Sequence, residues 1–353
     1  MSLRNVHIPF HIRVLNSLEE LKKAVEECIE KLNGKMPFFC FDPILYKDEK
    51  LDRFRADIEK IRSKYGKIVI ENSYLETAQK VQREALEIRS DIIVAIGGGK
   101  CLDVAKYAGA QLGLPFIAIP TQSAHDGICS PIAVLEMKGI TYSLPARSPE
   151  AVLIDLQTII RSPRRALCAG IGDLLSNLIS VKDWKLAERK QGEKFDDFAA
   201  LLAYIGPENL IDSANPDLSN PEFIEKLLKG LILSGIAMEL VGNSRPCSGS
   251  EHQISHAMDQ LFPGRDVLHG EQVAFGTLVS SILWDFQPEF MREFLQKFNL
   301  PTRLSMLGFK RGDFFKIVDK APQTRPGRYT ILSETSFSNK EVIQKIEEFG
   351  ILS

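Results

Sequence analysis

Long apolar runs are missing from the 353 residues: none approaches the roughly 20 that a membrane-spanning helix needs. The opening stretch MSLRNVHIPFHIR has no apolar core of the kind a signal peptide carries, so neither secretion nor a membrane anchor is expected. The six cysteines are scattered, with no C-x-x-C pair. That argues against a disulfide framework and a thiolate zinc site, and a reducing cytoplasm is the expected home. An excess of charge of one sign is absent too. The chain carries 44 Lys+Arg against 46 Asp+Glu, a formal net charge of −2, which leaves no electrostatic case for nucleic acid or an acidic membrane as partner. Histidine is scarce, with six in all, yet His252, His256 and His269 share one short window.

The rest of the composition is that of a soluble globular enzyme, 44% hydrophobic and 25% charged. The length exceeds what one core usually serves, so two domains are expected. Helical spacing over residues 17–33 stops at Asn33-Gly34. MPFFCFD reads as a buried strand ending at Asp42-Pro43. A helix over 48–64, the strand KIVIEN, the helix TAQKVQREALEIRS, the strand DIIVAI, the loop GGGK, the helix CLDVAKYAGAQLG and the strand PFIAIP follow in turn. Alternation of this kind predicts a parallel sheet covered on both faces. A hairpin (PIAVLEMKGITYSLP) and the strand AVLID come next, and beyond about Arg164 the pattern is almost wholly helical. The expected organisation is an α/β unit over 1–163 and an all-α unit over 164–353, with a ligand cleft between them.

Strand Ile92–Ile96 runs into Gly97-Gly98-Gly99-Lys100 and directly into a helix. Such a loop lets backbone N–H groups approach a phosphate at a helix N-terminus. It lacks the G-x-G-x-x-G spacing of the Rossmann fingerprint and the second half of a P-loop; read plainly, it is a tight turn. Strand PFIAIP ends in Thr121-Gln122-Ser123-Ala124-His125-Asp126-Gly-Ile-Cys-Ser130, a polar loop at the sheet edge where open α/β sheets bind ligands. It suits a nucleotide or a polyol, or is a solvated turn. Asp42 could accept hydrogen bonds from a ribose and repel a 2′-phosphate, or serve simply as an Asp-Pro turn residue.

His252 and His256 are four apart and share a helix face. A divalent cation could use one or both. The order E-H-x-x-x-H is not H-E-x-x-H, so a zinc protease is not indicated. Asp173, in AGIGDLLSN, is an acid in what reads as an apolar helix start, where a capping aspartate is common. Spacing alone does not say which of Asp173, His252, His256 and His269 bind a metal.

Taken together, GGGKCLDVAK, TQSAHDGICSP, AGIGDLLSN with VKDWKLAERKQGE, GNSRPCSGSEHQISHAMD, LHGEQVAFGT and RPGRYTILSE resemble the iron-containing (group III) alcohol dehydrogenase superfamily. That superfamily includes glycerol dehydrogenases and is similar in fold to dehydroquinate synthases. The resemblance is closest to its sn-glycerol-1-phosphate dehydrogenase branch, through SAHDG, DWKLA, SRPCSGSEH and RYTIL. It implies an α/β domain with a parallel sheet followed by an all-α domain. It implies that Asp173, His252 and His269 bind one catalytic metal, usually zinc, with nickel or iron as alternatives. His256 and Asp126 would face the substrate, and Asp173 would touch it as well. Gly98, Gly99, Lys100, Cys101 and Asp103 would hold the dinucleotide, with Thr121, Gln122, Ser123, Ala124 and Ser130 along its nicotinamide end. Cys101 stands where a small aliphatic or hydroxyl residue is commoner. Asp42 stands where many archaeal members have glycine, which favours NAD over NADP, and relatives suggest a homo-oligomer.

The reaction implied is metal-assisted hydride transfer between NAD(P)H and dihydroxyacetone phosphate. Zinc would polarise the carbonyl, and a proton would arrive through His256, whose ordinary pKa of about 6.5 suits the task. Arg245, just before the helix carrying His252, is the candidate for the substrate phosphate. Two other outcomes are open: a glycerol dehydrogenase acting on the unphosphorylated polyol, in which Arg245 would be idle, and a sugar-phosphate cyclase that uses NAD catalytically.

Overall fold

The computed structural model describes residues 11–353, so most of the N-terminal stretch read above for a signal lies outside the described residues. Strands β1 (His11–Leu15), β2 (Pro37–Phe41), β3 (Gly66–Val69), β4 (Ile92–Gly97) and β5 (Phe116–Pro120) alternate with helices α1 (Leu18–Lys31), α2 (Glu49–Glu59), α3 (Leu75–Glu87) and α4 (Gly99–Leu112). A hairpin of β6 (Ile132–Met137) and β7 (Ile140–Pro145) precedes β8 (Ala151–Asp155). The six long-range strands form one parallel sheet in the order β1-β8-β5-β4-β2-β3. The inner strands β2, β4, β5 and β8 are buried at every position, as strands covered on both faces must be.

Local chemistry explains most boundaries. Ser17 caps α1, its hydroxyl accepting from Glu20 N at 3.2 Å. Lys138 and Gly139, both at positive φ, make the two-residue turn between β6 and β7 that suits a tight hairpin. Two expectations need correction. Strand β1 went unread because HIRVL shows neither a long apolar run nor strict alternation; it is a half-buried edge strand held by parallel pairing to β8. Helix α2 ends at Glu59 rather than near residue 64. There the chain turns back so that Tyr65 and Lys67 reach the Glu59 carboxylate at 3.0 and 2.9 Å.

After β8 the chain is helical: α5 (Leu156–Ile160), α6 (Arg164–Leu175), α7 (Asn177–Gln191), α8 (Asp197–Ile211), α9 (Pro221–Val241), α10 (Ser250–Leu261), α11 (His269–Trp284), α12 (Pro288–Lys297), α13 (Arg311–Lys320), α14 (Ile331–Glu334) and α15 (Lys340–Glu348). One apolar core runs without a break from the sheet face of Phe38, Ile93 and Val152 into Ile171, Leu231 and Phe275 of the helices. A second, under α1 and α2, covers the other sheet face through Ile29, Phe41, Phe54 and Ile96. Among the described residues no helix is long and apolar enough to cross a membrane.

Close backbone approaches set the helical layer. A Cβ on Gly270 would stand 1.9 Å from Ala169 O, and one on Gly172 would stand 2.3 Å from Gly270 O. Helices α6 and α11 therefore touch backbone to backbone, which only glycine permits. On the other side of α11, a Cβ on Gly276 would meet Glu251 O of α10 at 2.5 Å. Three helices are thus drawn together around the positions just beside these glycines.

Candidate metal and substrate site

The residues beside those glycines are Asp173, His269 and, one past Glu251, His252. Their ligand atoms lie within 4.8 Å of one another. His252 Nε2 and His269 Nε2 each stand 3.7 Å from Asp173 Oδ1. Ligands bonded to one ion at about 2.1 Å are separated by roughly 3 to 3.5 Å, so this trio needs only a small contraction to hold a divalent cation. Outer partners fix the rings. His252 Nδ1 is 2.9 Å from Glu251 Oε1, the carboxylate–histidine pairing that orients metal-binding imidazoles. His269 Nδ1 is 3.3 Å from Ser255 Oγ, which also donates to Gln272. Asp173 is not a helix cap as its sequence context suggested. Helix α6 starts at Arg164, and Asp173 sits two residues before its end, inside the helix.

Electrostatics divide the labour. Burial pushes the Asp173 carboxyl up, but the nearby His252, His269 and His125 rings outweigh that and hold it at about 2. His252 is pushed down by burial and more strongly up by its bonds to Asp173 and Glu251, reaching about 9. His269 is lowered to about 3 by burial and by the charge on His252. Asp126, whose N–H donates to Asp173 Oδ2 at 2.8 Å, is raised to about 8 by its enclosure and by the Asp173 charge.

His256 lies on the same face of α10 as His252, but its ring centre is 6.3 Å from both His252 and His269 and it is not part of the trio. Its Nε2 is 3.1 Å from Arg325 Nη2. A guanidinium can only donate, so Nε2 is the acceptor and the proton of the neutral ring sits on Nδ1. Burial and the Arg325 charge lower its pKa well below 6.5; the expectation of an ordinary imidazole does not hold. His256, His252, His269 and Asp126 all line a cavity of about 320 Å3, together with Asp103, Ser130, Ser143, Ser244, Ser248 and Arg325.

The glycine loop lies at the crevice between β2 and β4, where the strand order reverses, the place where open α/β sheets bind ligands. Gly98 begins α4. Asp42 sits across the crevice: one carboxylate oxygen caps Ile44 N at 2.9 Å and the other accepts from Gly98 N at 3.2 Å. It is both the turn residue and a neighbour of the loop. Lys100 is exposed. Gln122 lies over Gly98 and His125 over Gly99, since a Cβ on either glycine would come within 2.3 Å of those side chains. Thr121 N continues the β4 pairing by donating to Gly97 O at 3.0 Å. Ser123 is fully buried and Ala124 partly so. The Cys101 thiol points into the core, 3.4 Å from Cys40 O and 3.7 Å from Ile96 O, so its side chain is turned away from the crevice. Asp103 is buried against Lys106 at 3.1 Å.

Sequence reading missed four residues here. Lys106 is fully buried and donates to Gly127 O at 2.8 Å and Ile132 O at 2.7 Å, tying the loop after β5 to α4. His125 stands between Gly99 and His269, ring centres 6.5 Å apart. Glu251 orients His252. Arg325 enters the cavity. His125 and Glu251 were visible inside motifs already noted; Lys106 ends GGGKCLDVAK and Arg325 begins RPGRYTILSE, but as lone cations neither showed which way it would point. Arg245, by contrast, does not line this cavity. Its side chain is 2% exposed, with Nε 3.0 Å from Glu193 Oε1 and Nη2 donating to Asp183 O and Tyr329 O at 3.2 and 2.6 Å. The carboxylate and carbonyls behind α10 offer it a buried seat that the sequence does not reveal.

A parallel-sheet crevice beside a carboxylate–histidine trio able to hold a metal suits a metal-dependent dehydrogenase, and the chain belongs to the iron-containing alcohol dehydrogenase family. The family's model, described as iron-containing alcohol dehydrogenase, matches residues 19–163. Within the family the chain is 38% identical over 332 residues to a glycerol-1-phosphate dehydrogenase [NAD(P)+] of Thermococcus sibiricus, covering 93% of each chain. It is 33% identical to the one of Archaeoglobus fulgidus over 358 residues, 99% of this chain and 100% of that relative. In fold it is similar to a probable glycerol dehydrogenase of Sinorhizobium meliloti, with a TM-score of 0.79, 24% identity, and 99% and 98% of the two chains covered. At that identity the likeness speaks for the fold alone.

Proposed function

We propose that this protein transfers hydride between a nicotinamide dinucleotide and dihydroxyacetone phosphate, giving sn-glycerol 1-phosphate. The observation that carries the reading is the Asp173–His252–His269 trio, whose two histidines line a cavity shared with His256, in a chain that matches glycerol-1-phosphate dehydrogenases over most of its length. The part over 1–163 brings the cofactor and the part over 164–353 brings the metal. The dinucleotide lies along the β2–β4 crevice, with Gly98, Gly99, Lys100 and the N–H of Cys101 at its phosphates and Asp42 at its ribose. Asp103 helps hold the dinucleotide, and Thr121, Gln122, Ser123, Ala124 and Ser130 flank its nicotinamide end. Asp42 disfavours a 2′-phosphate, so NAD is preferred over NADP.

Asp173, His252 and His269 hold one divalent cation, zinc, nickel or iron, which when bound supplies Lewis-acid polarisation of a carbonyl. The chain's own groups do the rest. Asp126 accepts a hydrogen bond from the substrate hydroxyl. A bound nicotinamide would supply hydride to a ketone carbon, and the neutral His256 ring, or a water it holds, would pass one proton to the oxygen that becomes the alcohol. The site thus consumes one NADH and one proton per ketone.

The test is steady-state NADH oxidation by zinc-loaded protein with dihydroxyacetone phosphate against dihydroxyacetone. A kcat/KM ratio above about a hundredfold, roughly 2.7 kcal/mol of discrimination, is expected. A ratio near one would make the protein a glycerol dehydrogenase, and turnover without net NADH loss would make it a cyclase.

A further inference from the structure

The cavity holds an unpaired cation whose surroundings suit an anion. Arg325 follows α13 and its guanidinium reaches the cavity wall. Its polar contacts are neutral: Ser143 Oγ at 3.2 Å, Ser244 Oγ at 3.4 Å and the acceptor nitrogen of His256 at 3.1 Å. Burial lowers its pKa, and no carboxylate among the described residues forms an ion pair with it. The carboxylates that line the same cavity do not compensate. Asp103 is paired with Lys106, and Asp259 accepts a hydrogen bond from Gln272 at 2.8 Å. Arg328 adds positive charge behind Arg325, donating to Ser248 O and to Ser244 Oγ. A second observation points the same way. Ser248 lines this cavity, is 3% exposed, and its hydroxyl has no hydrogen-bond partner among the described residues. A cation without its counter-charge beside an unsatisfied buried hydroxyl is costly unless a ligand completes the set.

We propose that Arg325, with the hydroxyls of Ser143, Ser244 and Ser248, forms the subsite that recognises the phosphate monoester of the substrate. Arg325 touches His256, whose ring lies 6.3 Å from those of His252 and His269, so in this proposal the ketone sits at the trio and the ester at Arg325. The planar fork of guanidinium donors matches a phosphate better than a point charge does. A rival cation, Arg265, also lines the cavity, but it is stacked on Phe309 at 4.3 Å and donates to Gly308 O at 2.7 Å, which hold it to the rim. The proposal rests on the reading that a ketone phosphate is the substrate.

The experiment compares wild type, Arg325→Lys, Arg325→Gln and Arg265→Ala as zinc-loaded enzymes supplied with NADH. Metal content and melting temperature identify any variant that has not folded. The readouts are kcat/KM on the phosphorylated and free ketones, and calorimetric binding of inorganic phosphate. The ratio between the two ketones is expected to collapse by at least about 30-fold in Arg325→Gln, less in Arg325→Lys, and to stay within about threefold in Arg265→Ala. Phosphate binding should weaken in the same order. Equal losses on both ketones, with metal retained and phosphate binding unchanged, would show that Arg325 merely supports His256 and overturn the proposal. A collapsed ratio in Arg265→Ala would move the subsite to the rim. A wild type that does not favour the phosphorylated ketone would fail the parent reading separately, before any variant is made, and the phosphate titration would still judge Arg325.

Discussion

Glycine does different work in the two halves of this molecule. In the crevice, Gly98 and Gly99 lie beneath the ends of two flexible side chains, Gln122 and His125. In the helical layer, Gly172, Gly270 and Gly276 lie beneath backbone. A side chain can swing aside; a carbonyl inside a helix cannot. The crevice glycines therefore leave room for something that comes and goes, and the helical ones fix side chains that must not move. The lesson is that a metal site can be built by residues that never touch the metal.

The sharpest way to break this contrast is Gly270→Ala. The new methyl would stand 1.9 Å from Ala169 O, so α6 and α11 must part. Overpacking of this kind costs about 3 kcal/mol, and Asp173 separates from His269. We expect a lower melting temperature together with loss of bound metal, read by thermal unfolding and metal analysis. A variant that melts and binds metal as wild type does would show that the helices have slack here.

This also marks how far the sequence could be read. The alternation of β2 to β5 with α1 to α4 was legible because buried parallel strands and amphipathic helices have distinct periods. The edge strand β1 was not, since its stability comes from pairing with β8, 140 positions along the chain. Asp173 and the histidines stood out by residue type, yet their grouping depends on glycine contacts between helices far apart in sequence. The choice of ligands came from resemblance, and spacing would equally have allowed His256. Arg245 and Arg325 could not be told apart: both are arginines in turns, and only the packing around Glu193 sends the first inward and leaves the second to the cavity.

Next in size are the ligands themselves. His252→Ala and His269→Ala should each weaken metal binding by at least about a hundredfold. His256→Ala should keep its metal while turnover falls by about 10² to 10⁴. Metal analysis beside steady-state rates separates the two groups. Loss of metal from His256→Ala would exchange its role with that of a presumed ligand.

Smaller still is Gly98→Ala. Its methyl meets Gln122, which can rotate, so melting should stay within a degree or two while KM for NADH rises about tenfold as the backbone is held off the cofactor phosphates. A change in metal content instead of KM would mean the crevice and the helical layer are not separable.

The mildest test uses pH alone. In the metal-free protein Asp173 is already ionised, held at about 2, and His269 is already neutral, lowered to about 3. His252, raised to about 9, is the ligand that must give up a proton. Because its folded pKa exceeds the unfolded value of about 6.5, its contribution to stability is fully present below pH 6.5 and is lost as pH rises through 9. Binding of a cation runs the other way, since each pH unit toward 9 removes more of the competing proton. The metal-free protein should therefore lose melting temperature between pH 7 and 9 while zinc affinity climbs about tenfold per pH unit and levels off above 9. Calorimetry in buffers of different ionisation enthalpy should count at least one proton released per ion near pH 7.5, and Asp126, held at about 8, adds to that number as the cation neutralises the Asp173 charge that keeps it protonated. Zinc affinity independent of pH across this range would mean that His252 is neutral beside Asp173, and that the trio stands ready for its ion without first losing a proton.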